Sequence, residues 1–251
     1  MAEQRAILLT GAASGIGAAT ARRFVREGWR VAVNYLDASQ KDAAAAIVKG
    51  TQGIVLEGDV TRDEHCKMLV EKTVAAFGRL DALVNAAGIS VMVPHAKLHD
   101  VSAEDFQRIY AVNTIGPFQV IRAAAPHLRS TGNAAVVNIA SRAGITGAGS
   151  SIPYAASKGA LNTMTLSLAR VLAPEVRVNS VCPTLVEQGF VERLDPDTFA
   201  RRKANMIANA PLKRIGKPDE VAETIWWLVT SAPMLTGAIL ELDFGIHLNA
   251  G

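Results

Sequence analysis

The 251-residue chain is poor in cysteine and in aromatic residues and has no long run free of charge. Its two cysteines, Cys66 and Cys182, cannot staple a chain of this length, so a disulfide scaffold is excluded. Both read as buried thiols of a reducing compartment, and a cytoplasmic location is expected. The longest stretch without Asp, Glu, Lys or Arg, Thr224 to Leu240, contains Pro233 and Gly237 and falls short of the ~20 apolar residues a bilayer crossing needs. No membrane span is expected. Glu3 and the brevity of the apolar run Ala6–Leu9 argue against a secretion signal. A surplus of charge is also lacking: 26 basic against 23 acidic residues leave a formal +3, and no cluster forms the basic face that nucleic acid requires. His65, His127 and His247 have no ligand spacing with one another or with the cysteines, so no metal site is expected.

What the chain does have is aliphatic content, 49% hydrophobic residues in all, together with 20 glycines. Short aliphatic runs recur at Ala6–Leu9, Val31–Val33, Ile54–Leu56, Ala82–Val84, Val136–Ile139, Val176–Val181 and Ile239–Leu242, each reading as a strand apolar on both faces. Between them lie segments of helical period, including Ala18–Glu27, Glu64–Phe77, Glu104–Leu128 and Tyr154–Leu172. Thr61 to Glu64 and Ser102 to Asp105 read as capping boxes, and Pro218 suits the first turn of a helix running to about Val229. Alternation of this kind builds a doubly wound α/β fold, a parallel sheet with helices on both faces. No repeat or composition shift marks a boundary, so residues 1–251 are read as a single domain. The one irregular stretch, Leu185 to Gly216, is an insertion between the last two strands.

After the first strand comes Thr10-Gly11-Ala12-Ala13-Ser14-Gly15-Ile16-Gly17 and then a helix. Strand, glycine loop and helix N-terminus follow in the order that a pyrophosphate needs: glycines let backbone N–H groups approach phosphate oxygens, and the helix end adds partial positive charge. A second pattern, Tyr154-Ala155-Ala156-Ser157-Lys158, sets a phenol and an ammonium one helical turn apart on one face. A nearby Lys⁺ and the helix N-terminal field both favour phenolate, so the tyrosine pKa is expected to fall by ~2–3 units from ~10, or ~3–4 kcal/mol. Ser141 follows the strand Val136–Ile139 at the carboxyl end, where parallel sheets bind ligands.

With these motifs the chain resembles the short-chain dehydrogenase/reductase family over nearly its whole length, nearest in pattern to the 3-oxoacyl-carrier-protein reductase and glucose dehydrogenase branches. Asp59-Val60 after the third strand and Asn85-Ala86-Ala87-Gly88 after the fourth match further family motifs. The resemblance implies a Rossmann-type sheet in strand order 3-2-1-4-5-6-7, NAD or NADP as cofactor, and hydride transfer to a small-molecule carbonyl or from a secondary alcohol. It implies that Gly11, Ser14, Gly15, Ile16 and Gly17 hold the phosphates, that Asp59 and Val60 meet the adenine, and that Asn85 to Gly88 line the middle of the cofactor. On its own residues Asp59 reads equally as a turn residue leading into a helix. Asn113, Ser141, Tyr154 and Lys158 correspond to the family tetrad: Tyr154 as acid/base, Ser141 on the substrate oxygen, Lys158 tuning Tyr154 and holding the nicotinamide ribose, and Asn113 holding a water.

Departures from the family pattern leave some assignments open. The positions that select NAD or NADP fall on Tyr35, Leu36 and Ser14, where both the acidic and the basic signals are missing. Asp37 would reach a ribose, whereas Ser39 and Lys41 would receive a phosphate. At the nicotinamide end Pro183-Thr184 stands for the family's Pro-Gly, Gln188 for a threonine, and Phe244 for a glycine. Those changes keep a second reading alive, a catalytically impaired cofactor-binding or scaffold protein. Leu185 to Gly216 falls where the family keeps its substrate lid, and its Arg193, Arg201, Arg202 and Lys203 read as a solvated face or as recognition of an anionic substrate. His95 and His99 would border the pocket. Trp226-Trp227 points to opposite sides of its helix, one inward and one toward a neighbouring subunit, and family members are often dimers or tetramers.

Overall fold

The aliphatic runs become strands because each is apolar on both sides and finds helices above and below. The computed structural model describes residues 4–249, so Glu3, which bore on the secretion signal, lies outside it. Seven strands, β1 (Ala6–Thr10), β2 (Arg30–Tyr35), β3 (Ile54–Glu57), β4 (Ala82–Asn85), β5 (Ala134–Ile139), β6 (Val176–Pro183) and β7 (Ile239–Leu242), form one sheet in the order β3-β2-β1-β4-β5-β6-β7. Every pairing is parallel. The helices are α1 (Gly15–Arg26), α2 (Lys41–Val48), α3 (Asp63–Phe77), α4 (Ala103–Tyr110), α5 (Gly116–Ser130), α6 (Ala143–Thr146), α7 (Ile152–Leu172), α8 (Phe190–Leu194), α9 (Pro196–Asn209) and α10 (Pro218–Thr230).

Alternation along the strands divides the core. Ile7, Leu9, Val31 and Val33 face α1, α2 and α10, while Ala6, Leu8 and Leu83 face α3, α5 and α7. Full burial of each large aliphatic side chain contributes ~1.5–3 kcal/mol, and the middle strands β1, β4 and β5 are buried along their whole length. The edge strands differ from the expectation of two buried faces: β3 and β7 are mostly half-exposed, because each has a neighbour on one side alone. On the first face Trp29 and Trp226 both meet Phe24 edge-on at 5.0 Å, joining α1 to α10, and Trp227 stays 43% exposed.

Two local expectations are corrected. The segment 104–128 is not one uniform helix, because a π-turn over Ala111–Ile115 separates α4 from α5. Asn113 sits in that turn, wholly buried. The box at Thr61 does not form: the Thr61 hydroxyl and N–H both donate to Asp59, and α3 starts at Asp63 behind Arg62, which gives no side-chain cap. The box at Ser102 does form, reciprocally with Asp105.

The register aligns the carboxyl ends of the middle strands. Thr10 pairs with Asn85, Asn85 with Asn138 and Asn138 with Ser180, a polar row that ends the apolar sheet. Above it the loops open a cleft. The insertion 185–216 folds over this edge, its two ends tied by a bridge between Val186 and Gly216. Phe199, Met206, Ala210 and Ile215 give it a small core of its own against Leu185, Val191, Phe244 and Ile246.

Candidate active site

A cavity of about 920 Å³ runs along the carboxyl edge of the sheet. At one end are Gly11 and the start of α1. Gly11 has φ +58° and lies so close to β4 that a Cβ there would fall 2.5 Å from the Ala87 Cα, which no side chain tolerates. Ser14, the residue before α1, makes no side-chain cap, and no acid occupies the first turn. The helix therefore presents its first N–H groups, and its partial positive charge, to the cavity wall formed by Ser14, Gly15, Ile16 and Gly17. This cradle of backbone donors fits a pyrophosphate.

Leu36, Asp59, Val60, Ala86, Ala87, Gly88, Pro183 and Thr184 line the same cavity, as the sequence implied. Tyr35 and Asn85 do not. Tyr35 is 5% exposed and packs into the core under α1 and α2, and the Asn85 amide turns down to donate to Asn138 Oδ1 at 2.9 Å. Asn34, Gln40 and Thr61 border the cavity instead, each next to a position the sequence singled out for the cofactor but not itself assigned to it. Asn34 is the more informative miss. Its side chain accepts from Gly11 N–H and donates to the carbonyl oxygens of Leu56 and Gly58, pinning the glycine loop to β3. His95 and His99 lie outside the lining.

At the other end Ser141, Tyr154 and Lys158 converge. Ser151 caps α7 by accepting from Tyr154 N–H, which puts the phenol on the helix's first turn. Gly144 of α6 has no room for a side chain, since its Cβ would lie 2.5 Å from the Lys158 carbonyl carbon. That contact of backbone on backbone carries Ser141 up to Tyr154, and the two hydroxyls share a hydrogen bond. The Lys158 ammonium donates to the Ile139 carbonyl at 2.7 Å and lies 5.9 Å from the Tyr154 ring centre. Asn113 is outside the lining, its amide engaged by the Ile89 backbone in both directions and by Ser157 Oγ at 3.0 Å. It fixes the loop that carries Gly88, whose Cβ position is within 3.6 Å of both the Asn113 carbonyl oxygen and the Lys158 ammonium.

The electrostatics depart from the sequence expectation. Burial pushes the Tyr154 phenol up to about 12, outweighing the hydrogen bond from Ser141, and the same burial pulls the Lys158 ammonium down to about 8. At neutral pH the pair is thus a protonated phenol beside a charged ammonium, a proton donor next to a fixed positive charge.

Thr184 has no left-handed backbone, so it occupies the family's glycine position without strain. Phe244 and Gln188 do take φ near +58°. Phe244 is held there by Arg214 stacked 4.6 Å from its ring, and Gln188 by Glu192 and Arg193, which bond its N–H and carbonyl. No group of His, Cys, Asp and Glu among the described residues could hold a metal ion. No helix among them is long and apolar enough to cross a membrane.

The geometry agrees with the comparisons to known proteins. A family model described as enoyl-(acyl carrier protein) reductase matches residues 11–247. A Streptomyces violaceoruber protein assigned as ketoacyl reductase 2 of the granaticin polyketide synthase is 41% identical over 244 residues, covering 96% of this chain and 95% of its own. A solved structure from Burkholderia xenovorans, described as a short-chain dehydrogenase/reductase, superposes with a TM-score of 0.91 at 41% identity, over 99% of this chain and all of that one. The 3-ketoacyl-(acyl-carrier-protein) reductase of Brucella melitensis, solved with NADH, gives a TM-score of 0.85 at 30% identity, over 97% and 98% of the two chains. With its sheet order, its helix-end cradle and its buried Tyr-Lys pair, the chain belongs to the short-chain dehydrogenase/reductase family and is an oxidoreductase that takes NAD or NADP.

Proposed function

We propose that the chain moves hydride between the nicotinamide and a carbonyl or secondary alcohol, with Tyr154 handling the proton. The observation that carries this reading is the convergence of Ser141, Tyr154 and Lys158 on the cavity that also holds the glycine cradle. The reduced nicotinamide, when bound, supplies the hydride that adds to the carbonyl carbon. Ser141 donates a hydrogen bond to the substrate oxygen as negative charge develops there. Tyr154 transfers its phenolic proton to that oxygen, completing the alcohol. Lys158 stabilises the phenolate left behind and, with Gly88 beside it, holds the nicotinamide ribose. Asn113 acts through the Gly88 loop and the π-turn. Residues 185–216 form the lid of a single catalytic domain, closing on a substrate whose walls they supply.

Tyr154→Phe should lower turnover of a responsive ketone by about 10²–10⁴-fold, while fluorescence titration shows NAD(P)H binding retained. A mutant with wild-type turnover would sink the assignment. Ketone reduction should decline as pH rises past about 8, where Lys158 loses its proton. Alcohol oxidation, which needs the phenolate as proton acceptor, should instead climb with pH toward the Tyr154 value of about 12.

A further inference from the structure

Several arginines line the cavity, and their partners tell them apart. Arg108, Arg142, Arg193 and Arg202 all contribute to the lining. Arg142 is paired with Asp243 at 3.2 Å and with Glu241 at 3.6 Å, and exposed Arg108 with Asp105 at 3.2 Å. Arg193 is exposed and tied to the Gln188 carbonyl at 2.8 Å. Arg202 is different. It is half-buried on the inner face of α9, and its one hydrogen bond among the described contacts goes from Nη2 to the Gly149 carbonyl oxygen at 3.0 Å. No carboxylate stands within ion-pair distance of it among the described residues; Asp195 acts on its charge from further off and is occupied in capping α9 through Thr198. A guanidinium partly withdrawn from water with no carboxylate bonded to it gains from a ligand that supplies one.

The bond to Gly149 also fixes where Arg202 sits relative to the chemistry. A Cβ on Gly149 would lie 3.5 Å from Tyr154 Cδ1, so that glycine separates the guanidinium from the phenol ring by a single residue. Asn205, one turn further along α9, shares the lining with Arg202, and Leu185, Val191 and Met206 add apolar wall beside them. Substrate bound with its carbonyl at Tyr154 would therefore run along apolar surface and end at an unpaired guanidinium.

We propose that the chain's substrate is a ketone, or the matching secondary alcohol, that carries a carboxylate a short apolar spacer away from the reacting carbon, and that Arg202 binds this carboxylate. The inference rests on the assignment of Tyr154 as the proton donor. A carboxylate suits the site better than a phosphate dianion, because Arg202 offers a single guanidinium with no carboxylate on it, the buried Lys158 ammonium being engaged by the Ile139 carbonyl beside Tyr154, and a singly charged planar group matches its fork. The lining acids do not oppose it: Glu187 is paired with Lys203, and Asp59 lies at the cradle end bonded to Thr61.

The test is a series of straight-chain methyl-ketone carboxylates of increasing spacer length, each compared with its methyl ester, its phosphate-ended counterpart and a neutral pantetheine thioester, using NADH and NADPH in turn. Wild-type protein should prefer the best acid over its ester by about 10- to 100-fold in kcat/KM, chiefly through KM. Arg202→Gln should collapse that ratio toward one, and Arg202→Lys should restore part of it. Calorimetric titration of the same acids into the cofactor complex of Tyr154→Phe gives a readout independent of turnover. Binding of the acid there, lost with Arg202→Gln, supports the carboxylate site even if Tyr154 proves not to be the proton donor. Preference for the ester, the thioester or the phosphate, or an acid-to-ester ratio that Arg202→Gln leaves unchanged, overturns the proposal.

Discussion

The two ends of the cavity are built differently. The cradle end is made chiefly of backbone, helix N–H groups and a glycine pressed on Ala87, with the side chains of Ser14, Leu36, Gln40 and one acid, Asp59, beside them. The lid end is made of side chains drawn from distant segments: Ser141, Tyr154 and Lys158 from one side and Arg202 and Asn205 from another. Backbone donors recognise what all dinucleotides share, so this end can be generic. Charged side chains select one substrate, and holding them buried costs stability that the aliphatic core offsets.

The largest effect should come from filling the two glycine contacts, one at each end. Gly11→Ala and Gly144→Ala each push a methyl group into backbone at 2.5 Å, and each should destabilise the fold by about 2–4 kcal/mol in denaturant unfolding. Their functional signatures should part. Gly11→Ala should weaken NAD(P)H binding, whereas Gly144→Ala should keep it and lose turnover, since Gly144 seats Ser141 against Tyr154. If both mutants lost cofactor binding equally, the ends would not be separable.

Next in size is the buried ammonium. Lys158 is 5% exposed and its folded pKa of about 8 lies below the ordinary 10.5, so between those values the folded state binds fewer protons than the unfolded one and stability rises with pH. Below pH 8 the penalty is present in full. Lys158→Met should therefore raise the Tm at pH 7 by a few degrees while abolishing activity, and the gain should shrink as pH approaches 10.5. Thermal melts across that range would count against the idea if the mutant were less stable at pH 7.

The smallest effect is expected at the ribose. Leu36 is half-exposed at the end of β2 and neutral, Asp37 is turned back to cap Ser39, and Asp59, the acid lining this end of the cavity, is bonded to Thr61. Wild-type protein should discriminate between NADH and NADPH by less than about tenfold in direct titration, with Leu36→Arg favouring NADPH and Leu36→Asp favouring NADH by about that factor. A strong wild-type preference would show that a group outside this edge selects the cofactor.

Much of this architecture was legible beforehand. Aliphatic runs placed all seven strands, and the glycine loop fell where β1 meets α1. Other features were not. Tyr35 occupies the family's selecting position, yet it ends a strand whose odd face looks into the core, so its side chain is lost to the cavity. Thr61 had the right neighbours for a capping box, but Asp59 took its hydroxyl first. Charge proximity is visible in a YxxxK spacing while burial is not, and in Tyr154 burial wins, raising the phenol where the spacing alone predicts a fall.

By itself the sequence determined the layers, the strand order's likeness to a known family, the helix-end cradle and the candidates Ser141, Tyr154 and Lys158, because periodicity and short motifs act over a few residues. Only the tertiary structure decided which groups meet: Gly144 on Lys158, Asn34 on the glycine loop, Arg202 on Gly149. It also set the protonation of the Tyr-Lys pair. Those outcomes depend on how much water the packed sheet and lid exclude, and exclusion of water is a property of the assembled fold rather than of any segment in it.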